Sequence, residues 1–180
     1  GSHGKYLGRI DLKVKNGKVV DTSSNLIPVF SDVIPPDPDM TKLINKIRAP
    51  YQSECNRVIG ETETLLYRRG NFNGSWDDVI CDTIIRERDT EISLSPGFRW
   101  GTTLLPGQKI TIDDIYSQTS MNYPEVYRIE MTGKMIKEIL EDVCDNIFNP
   151  DPFFQQGGDM VRVGGLTYTC RPKNKMGNRI

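Results

Sequence analysis

Histidine is nearly absent from this 180-residue chain: His3 is the only one. A zinc site built from imidazoles or a dinuclear hydrolase centre cannot be assembled around one ring. A Ser-His-Asp or Cys-His catalytic arrangement lacks a well-placed base for the same reason. An excess of one charge is also missing, with 23 Lys and Arg against 24 Asp and Glu and a net charge of -1. That balance leaves no electrostatic footprint for nonspecific binding of nucleic acid or an anionic membrane. No run approaches the roughly 18 apolar residues of a membrane span, and the first residues lack the basic and apolar stretches of a signal peptide. Cys55, Cys81, Cys144 and Cys170 form no C-x-x-C pair, which excludes a zinc knuckle and a thioredoxin-type redox motif. They read as buried small hydrophobes, or as one or two long-range disulfides in an oxidising compartment, with no pairing favoured. The patterns G-x-x-x-x-G-K-[ST], G-x-S-x-G and H-E-x-x-H are absent too.

What is present alternates strand and helix. Leu7, Ile10, Leu12 and Val14 fall mostly at period two, Asn16-Gly17 supplies a tight turn, and residues 18–30 read as the returning strand. Pro35, Pro36 and Pro38 mark a linker and place a boundary at about residue 36. Asp39 is the expected N-cap of a helix with Met40, Leu43, Ile44 and Ile47 on one face, ended by Pro50. Beyond it the pattern predicts a strand over 58–66 and a helix capped by Ser75 that carries Val79, Ile80, Ile84 and Ile85. A buried strand over 91–94, a turn at Pro106-Gly107 and a short helix opened by Thr111 with Asp113 and Asp114 come next. A strand is expected over 126–131, then an amphipathic helix capped by Thr132 with Met135, Ile136, Ile139, Leu140, Val143 and Ile147 inward. Two last strands, 160–163 and 166–170, are divided by Gly164-Gly165. The expected fold class is α/β, of the α+β kind: a mixed β-sheet layered with helices rather than a purely parallel doubly wound sheet.

Three segments are rich enough in Gly, Asn, Arg and aromatics to carry a site. Residues 67–76 run into a helix N-terminus with Arg68 and Arg69 beside it. They suit a sulfate, sulfonate or phosphate group, or else form a plain turn with a Ser75 cap and solvated arginines. Residues 95–103 carry Arg99, a planar fork of donors for an anion, and Trp100, a flat surface with one N–H; the alternative is an ion pair and a core tryptophan. Residues 149–159 hold Phe153, Phe154, Gln155 and Gln156, which either line a pocket or belong to an irregular loop. The carboxylates at Asp77-Asp78, Asp82, Asp113-Asp114 and Glu141-Asp142 read as helix starts or exposed helix faces.

Gly4-Lys5-Tyr6-Leu7-Gly8-Arg9 followed by Ile10-Asp11-Leu12 resembles the end of the metallophosphoesterase domain of the 5'-nucleotidase superfamily. The remainder is similar to that superfamily's C-terminal domain. The runs Leu66-Tyr67-Arg68-Arg69-Gly70-Asn71-Phe72-Asn73-Gly74 and Ser95-Pro96-Gly97-Phe98-Arg99-Trp100-Gly101-Thr102-Thr103 resemble the SoxB branch, the thiosulfohydrolases of bacterial sulfur oxidation. So does Gln155-Gln156-Gly157-Gly158-Asp159-Met160-Val161-Arg162-Val163-Gly164-Gly165. The resemblance covers nearly the whole chain. It divides the chain into residues 1–35, a remnant hairpin and linker from the metallophosphoesterase domain, and residues 36–180, the C-terminal substrate-recognition domain.

The resemblance implies a parent hydrolase with two manganese ions in an N-terminal domain absent from this sequence. This chain alone would carry no metal site, cofactor or catalytic residue and would be inactive. Its partners would be that N-terminal domain and the S-sulfonated cysteine arm of the SoxYZ carrier, in the periplasm, with no nucleic acid and no membrane. Substrate contacts would come from Arg99 on the sulfonate oxygens and Trp100 along the carrier arm, with Asn71, Tyr123 and Asp159 in the polar wall. Where nucleotidases have an Asn-Gly-Gly-Gly-Ile-Arg-like stretch this chain has Leu94-Ser95-Pro96-Gly97-Phe98-Arg99. No two-aromatic base clamp is evident around Met121-Asn122-Tyr123 and Met160, which disfavours nucleotide hydrolysis. A 5'-nucleotidase or UDP-sugar hydrolase domain, or a non-catalytic protein-binding module, are the alternatives.

Overall fold

The computed structural model describes residues 4–68, 70–98, 101–119 and 125–180. The chain divides into two compact units, Gly1–Cys55 and Asn56–Ile180. The first helix therefore groups with the hairpin in the first unit.

In the first unit, β1 (Tyr6–Lys15) and β2 (Lys18–Pro28) pair antiparallel. Asn16 and Gly17 join them with φ of 52° and 72°, the two positive values that a type I′ turn needs and that Asn-Gly supplies at low cost. Lys13 faces Asp21 but Val14 faces Val19, so Val20 is an extra residue and the ribbon bulges there. Helix α1 (Pro38–Arg48) is capped by Asp37, whose Oδ1 accepts from the Met40 N–H at 2.8 Å, and not by Asp39. Pro38 decides this: it occupies the first turn, where a missing N–H costs nothing, and moves the cap one residue ahead of it. The apolar stripe Met40, Leu43, Ile44 and Ile47 is exposed, as are Ile10 and Leu26 on the ribbon, at 70% and 74%. A short α2 (Gln52–Cys55) completes the unit.

The second unit is mixed α/β, with its described strands in separate antiparallel pairs. β3 (Val58–Glu61) pairs with β5 (Lys109–Thr111), and an isolated bridge joins Leu66 to Leu104. Pro106-Gly107 makes the expected turn, with Gly107 at φ 81°. Thr111 and Asp114 exchange hydrogen bonds at the start of α4 (Ile112–Thr119), a reciprocal cap. Helix α3 (Ser75–Arg88) begins after Gly74 and stops at Asp89, which takes the left-handed φ of 49°. α3 packs on β4 (Ser93–Ser95) and β6 (Arg162–Gly164), which pair antiparallel. Gly164 is required at that crossing, because a Cβ there would stand 2.8 Å from Cys81 Cβ.

Two apolar clusters sit beneath these elements. Leu66, Trp76 and Leu104 form one, with Ile110 and Ile115 against it. Leu140, Cys144 and Met160 form the other, under α5 (Gly133–Ile147), whose N-cap Thr132 accepts from the Met135 N–H at 3.2 Å. Its last turns are tied to the chain end by Arg179, which donates to Asp145 at 2.7 Å and to the Phe148 carbonyl at 3.0 Å.

Two expected strands do not form ladders. Residues 125–131 run beside β4 without pairing, held by an Arg128 bond to the Arg88 carbonyl, and leave an open groove lined by Leu94, Phe98, Val126 and Ile129. Residues 165–170 keep the alternation of a strand, with Leu166, Tyr168 and Cys170 half-buried and their neighbours exposed. Among the described residues no strand pairs with them, so the pleat is present without the ladder.

Candidate functional site

The antiparallel register places Ser95 opposite Arg162, so the loop leaving β4 and the loop entering β6 lie side by side. Gly97 makes their contact possible: a Cβ there would fall 2.2 Å from the Met160 carbonyl oxygen. The Met160 N–H donates to the Asn71 carbonyl at 2.9 Å and brings in the loop before α3. That loop is itself tight, since a Cβ on Gly70 would meet the Asn73 carbonyl oxygen at 2.0 Å. Parts of all three segments singled out in the sequence thus converge.

Under the convergence lies a buried charge network. Asp77, in the first turn of α3 and fully buried beside Trp76, accepts from Arg68 Nε at 2.7 Å and faces Arg162 Nε at 3.1 Å across its other oxygen. Arg68 donates further to the carbonyls of Gln118 and, at 3.1 Å, of Pro96. Arg162 donates to the Gly70 carbonyl at 2.7 Å and lies 3.4 Å from Asp159 Oδ2. Burial pushes the Asp77 carboxyl above its ordinary value against the pull of the Arg68 and Arg162 guanidiniums. The two arginines therefore tie three backbone carbonyls, at residues 70, 96 and 118, and the Asp159 side chain to the Asp77 carboxylate. Gln118 extends the clamp by donating to the Thr102 carbonyl at 2.7 Å. Arg162 Nη1, Trp76 Nε1 and Gln118 Oε1 are buried with no hydrogen-bond partner among the described residues.

Of the expected site residues, the structure brings Asn71 and Asp159 onto adjoining turns, Asn71 exposed and Asp159 buried against Arg162. Arg99, Trp100 and Tyr123 lie outside the described residues, as does Arg69. The anion reading of residues 67–76 does not hold for Arg68, which is buried and whose Nε, Nη1 and Nη2 each donate to the protein. The backbone N–H of Trp76 at the start of α3 is taken by the Tyr67 carbonyl at 3.1 Å. Ser75 is no cap either: its hydroxyl donates to the Leu65 carbonyl and accepts from the Tyr67 N–H. Phe153 and Phe154 are exposed, at 96% and 66%. Among the described residues no three His, Cys, Asp or Glu side chains gather as a metal site.

Sequence reasoning missed the network because it treated Asp77 as a helix-start acid and the arginines as ligands or solvated groups. Local pattern gave no signal for it, because period two sets Arg162 on the face opposite Val161 and Val163, and an acid in a first helix turn is ordinary at Asp77.

Residues 58–180 match the family of the 5'-nucleotidase C-terminal domain. The chain belongs to that family. It is similar to the solved Thermus thermophilus sulfate thiohydrolase SoxB, in complex with glycerol, at 38% identity and a TM-score of 0.87 over 98% of this chain and 33% of that one. It is also similar in fold to the 5'-nucleotidase precursor of Thermus thermophilus, at 18% identity and a TM-score of 0.66 over 98% of this chain and 35% of that one. The trifunctional nucleotide phosphoesterase protein YfkN of Bacillus subtilis (strain 168) is 24% identical over 99% of this chain and 12% of its own length. The chain thus spans about a third of each solved protein and a much smaller part of the Bacillus one.

Proposed function

We propose that this chain is the substrate-recognition domain of a SoxB-like thiosulfohydrolase, which hydrolyses a cysteine-S-sulfonate on the SoxYZ carrier and releases sulfate. The observation that carries this reading is the 38% identity to the Thermus sulfate thiohydrolase, twice the 18% to the Thermus nucleotidase over the same share of the chain. In the proposed parent, an N-terminal metallophosphoesterase domain holds two manganese ions that activate water and take up charge at sulfur. The parent is placed in the periplasm. The N-terminal domain is also the proposed cover for the exposed apolar faces of β1, β2 and α1.

The proposed contribution of this chain is binding and positioning. Arg99 would hold the sulfonate oxygens with its fork of donors and Trp100 would wall the carrier arm. Asn71, Tyr123 and Asp159 would complete a polar wall. The Arg68–Asp77–Arg162 clamp would fix the loops that carry Asn71, Arg99 and Asp159.

The test is hydrolysis of an S-sulfonated carrier peptide by the parent with manganese, with AMP as the competing substrate. Sulfate release in preference to phosphate release is expected; preferential AMP hydrolysis would move the chain to the nucleotide-phosphoesterase reading that its likeness to YfkN favours. Arg99→Ala in the parent is expected to lower kcat/KM for the sulfonate about 10–100-fold, the loss of one charged hydrogen-bonding group. The chain alone is expected to release no sulfate with manganese added, and measurable turnover would refute that.

A further inference from the structure

Cys144 is fully buried on α5, and Cys170 is half-buried at the end of the pleated segment 165–170. Their Sγ atoms are 3.3 Å apart although 26 residues separate them in the chain. Disulfide sulfurs stand at about 2.05 Å, so bond formation asks the pair to close by little more than an ångström. Both thiols pack in the same cluster, with Leu140, Met160 and Tyr168 around them. Cys55 and Cys81 have no thiol within hydrogen-bonding range. The sequence left every pairing open; the fold brings one pair together.

We propose that Cys144 and Cys170 form a redox-reactive dithiol, which exchange with an external disulfide such as oxidised glutathione converts into a strap holding segment 165–170 on α5. Cys170, the more exposed thiol, attacks as thiolate on one sulfur of the external disulfide. The external S–S bond breaks, one glutathione thiolate leaves, and a mixed disulfide remains on Cys170. Cys144 then gives its proton to solvent and attacks the Cys170 sulfur, and the second glutathione leaves. Two protein thiols are oxidised, one external disulfide is reduced to two thiols, and two protons are exchanged between them.

The order follows from the site. Burial, the Cys170 hydrogen bond and the Cys170 charge push the Cys144 thiol up to about 12, which makes it a poor first nucleophile. Capping Cys170 removes the last two of these causes, so the first step prepares the second. The strap acts next to the candidate site: Cys144 packs in one cluster with Met160, whose N–H holds the Asn71 carbonyl.

The experiment incubates the full 180-residue chain with oxidised glutathione, counts thiols under denaturation, and maps peptides without reduction. Of the four cysteines free in the structure, half are expected to disappear, with one cross-link joining the peptides of Cys144 and Cys170. The midpoint of thermal unfolding should rise by roughly 5–15 °C and return on adding dithiothreitol. Cys144→Ser should stop the reaction at one glutathione on Cys170, and Cys170→Ser should leave Cys144 unmodified. An unchanged thiol count, a cross-link through Cys55 or Cys81, or glutathione on Cys144 in Cys170→Ser would overturn the proposal. An oxidised chain that melts no higher than the reduced one would overturn the strap.

Discussion

Asp77 places one carboxylate between two guanidiniums with essentially no solvent, each side chain 1% exposed or less. Such a group stabilises less by attraction than it threatens by removal, because the desolvation of all three charges has already been incurred. Asp77→Ala is therefore expected to cost about 3–5 kcal/mol in urea unfolding, leaving Arg68 buried without its carboxylate and Arg162 with the more distant Asp159 at 3.4 Å. A loss under about 1 kcal/mol would show that water reaches the arginines and that the clamp does not hold the loops. Glu141 behaves differently. Desolvation raises its carboxyl, but the Lys137 hydrogen bond and the backbone N–H groups of Arg179 and Ile180 outweigh that and hold it below its ordinary value. With the folded value depressed, the unfolded chain binds the proton first as pH falls. Its stabilisation is fully present above the unfolded carboxylate value of about 4.3 and disappears as pH drops through the folded one. Glu141→Gln should lower stability at pH 7 and flatten the acid side of the stability curve; an acid limb parallel to that of the parent chain would refute the assignment.

Elements with a local signal could be read before the fold, and those that depend on a distant partner could not. Asn16-Gly17, Thr132 and the Thr111–Asp114 exchange each act within four residues, and each stands where the sequence places it. Asp37 and Ser75 show how close a local reading can come and still fail: Pro38 shifted one cap, and at the other the Ser75 hydroxyl found the Leu65 carbonyl ten residues back. Residues 126–131 and 166–170 have the strand pattern, yet period two specifies a face, not a partner, and neither segment has a ladder. Of the site, the converging loops were legible from their composition, whereas the clamp beneath them joins residues as far apart as 68 and 118 or 70 and 162. Three substitutions test the caps. Thr132→Ala should cost about 1 kcal/mol in thermal or urea unfolding. Asp37→Ala should speed amide exchange at Met40, whose N–H it binds, while Asp39→Ala should leave that rate nearly unchanged; the reverse order would restore Asp39 as the cap.

At the scale of the molecule the two units differ in what they bury. Asn56–Ile180 contains both apolar clusters, the Arg68–Asp77–Arg162 clamp and the Arg179 tie. Among its described residues, Gly1–Cys55 contains a two-stranded ribbon and two α-helices with no buried residue, and its apolar side chains stand exposed on ribbon and helix alike. An isolated two-stranded hairpin is marginal in water because it cannot bury enough apolar surface to offset the entropy of ordering it. A chain of residues 56–180 should therefore unfold cooperatively, with dispersed amide resonances, while residues 1–55 alone should give the narrow spectrum and weak far-ultraviolet signal of an unordered peptide. Supplying the N-terminal domain proposed above should restore the ribbon, visible as slowed amide exchange along β1 and β2. Cooperative folding of residues 1–55 by themselves would show that the ribbon needs no covering layer, and its exposed Ile10 and Leu26 would then require another explanation.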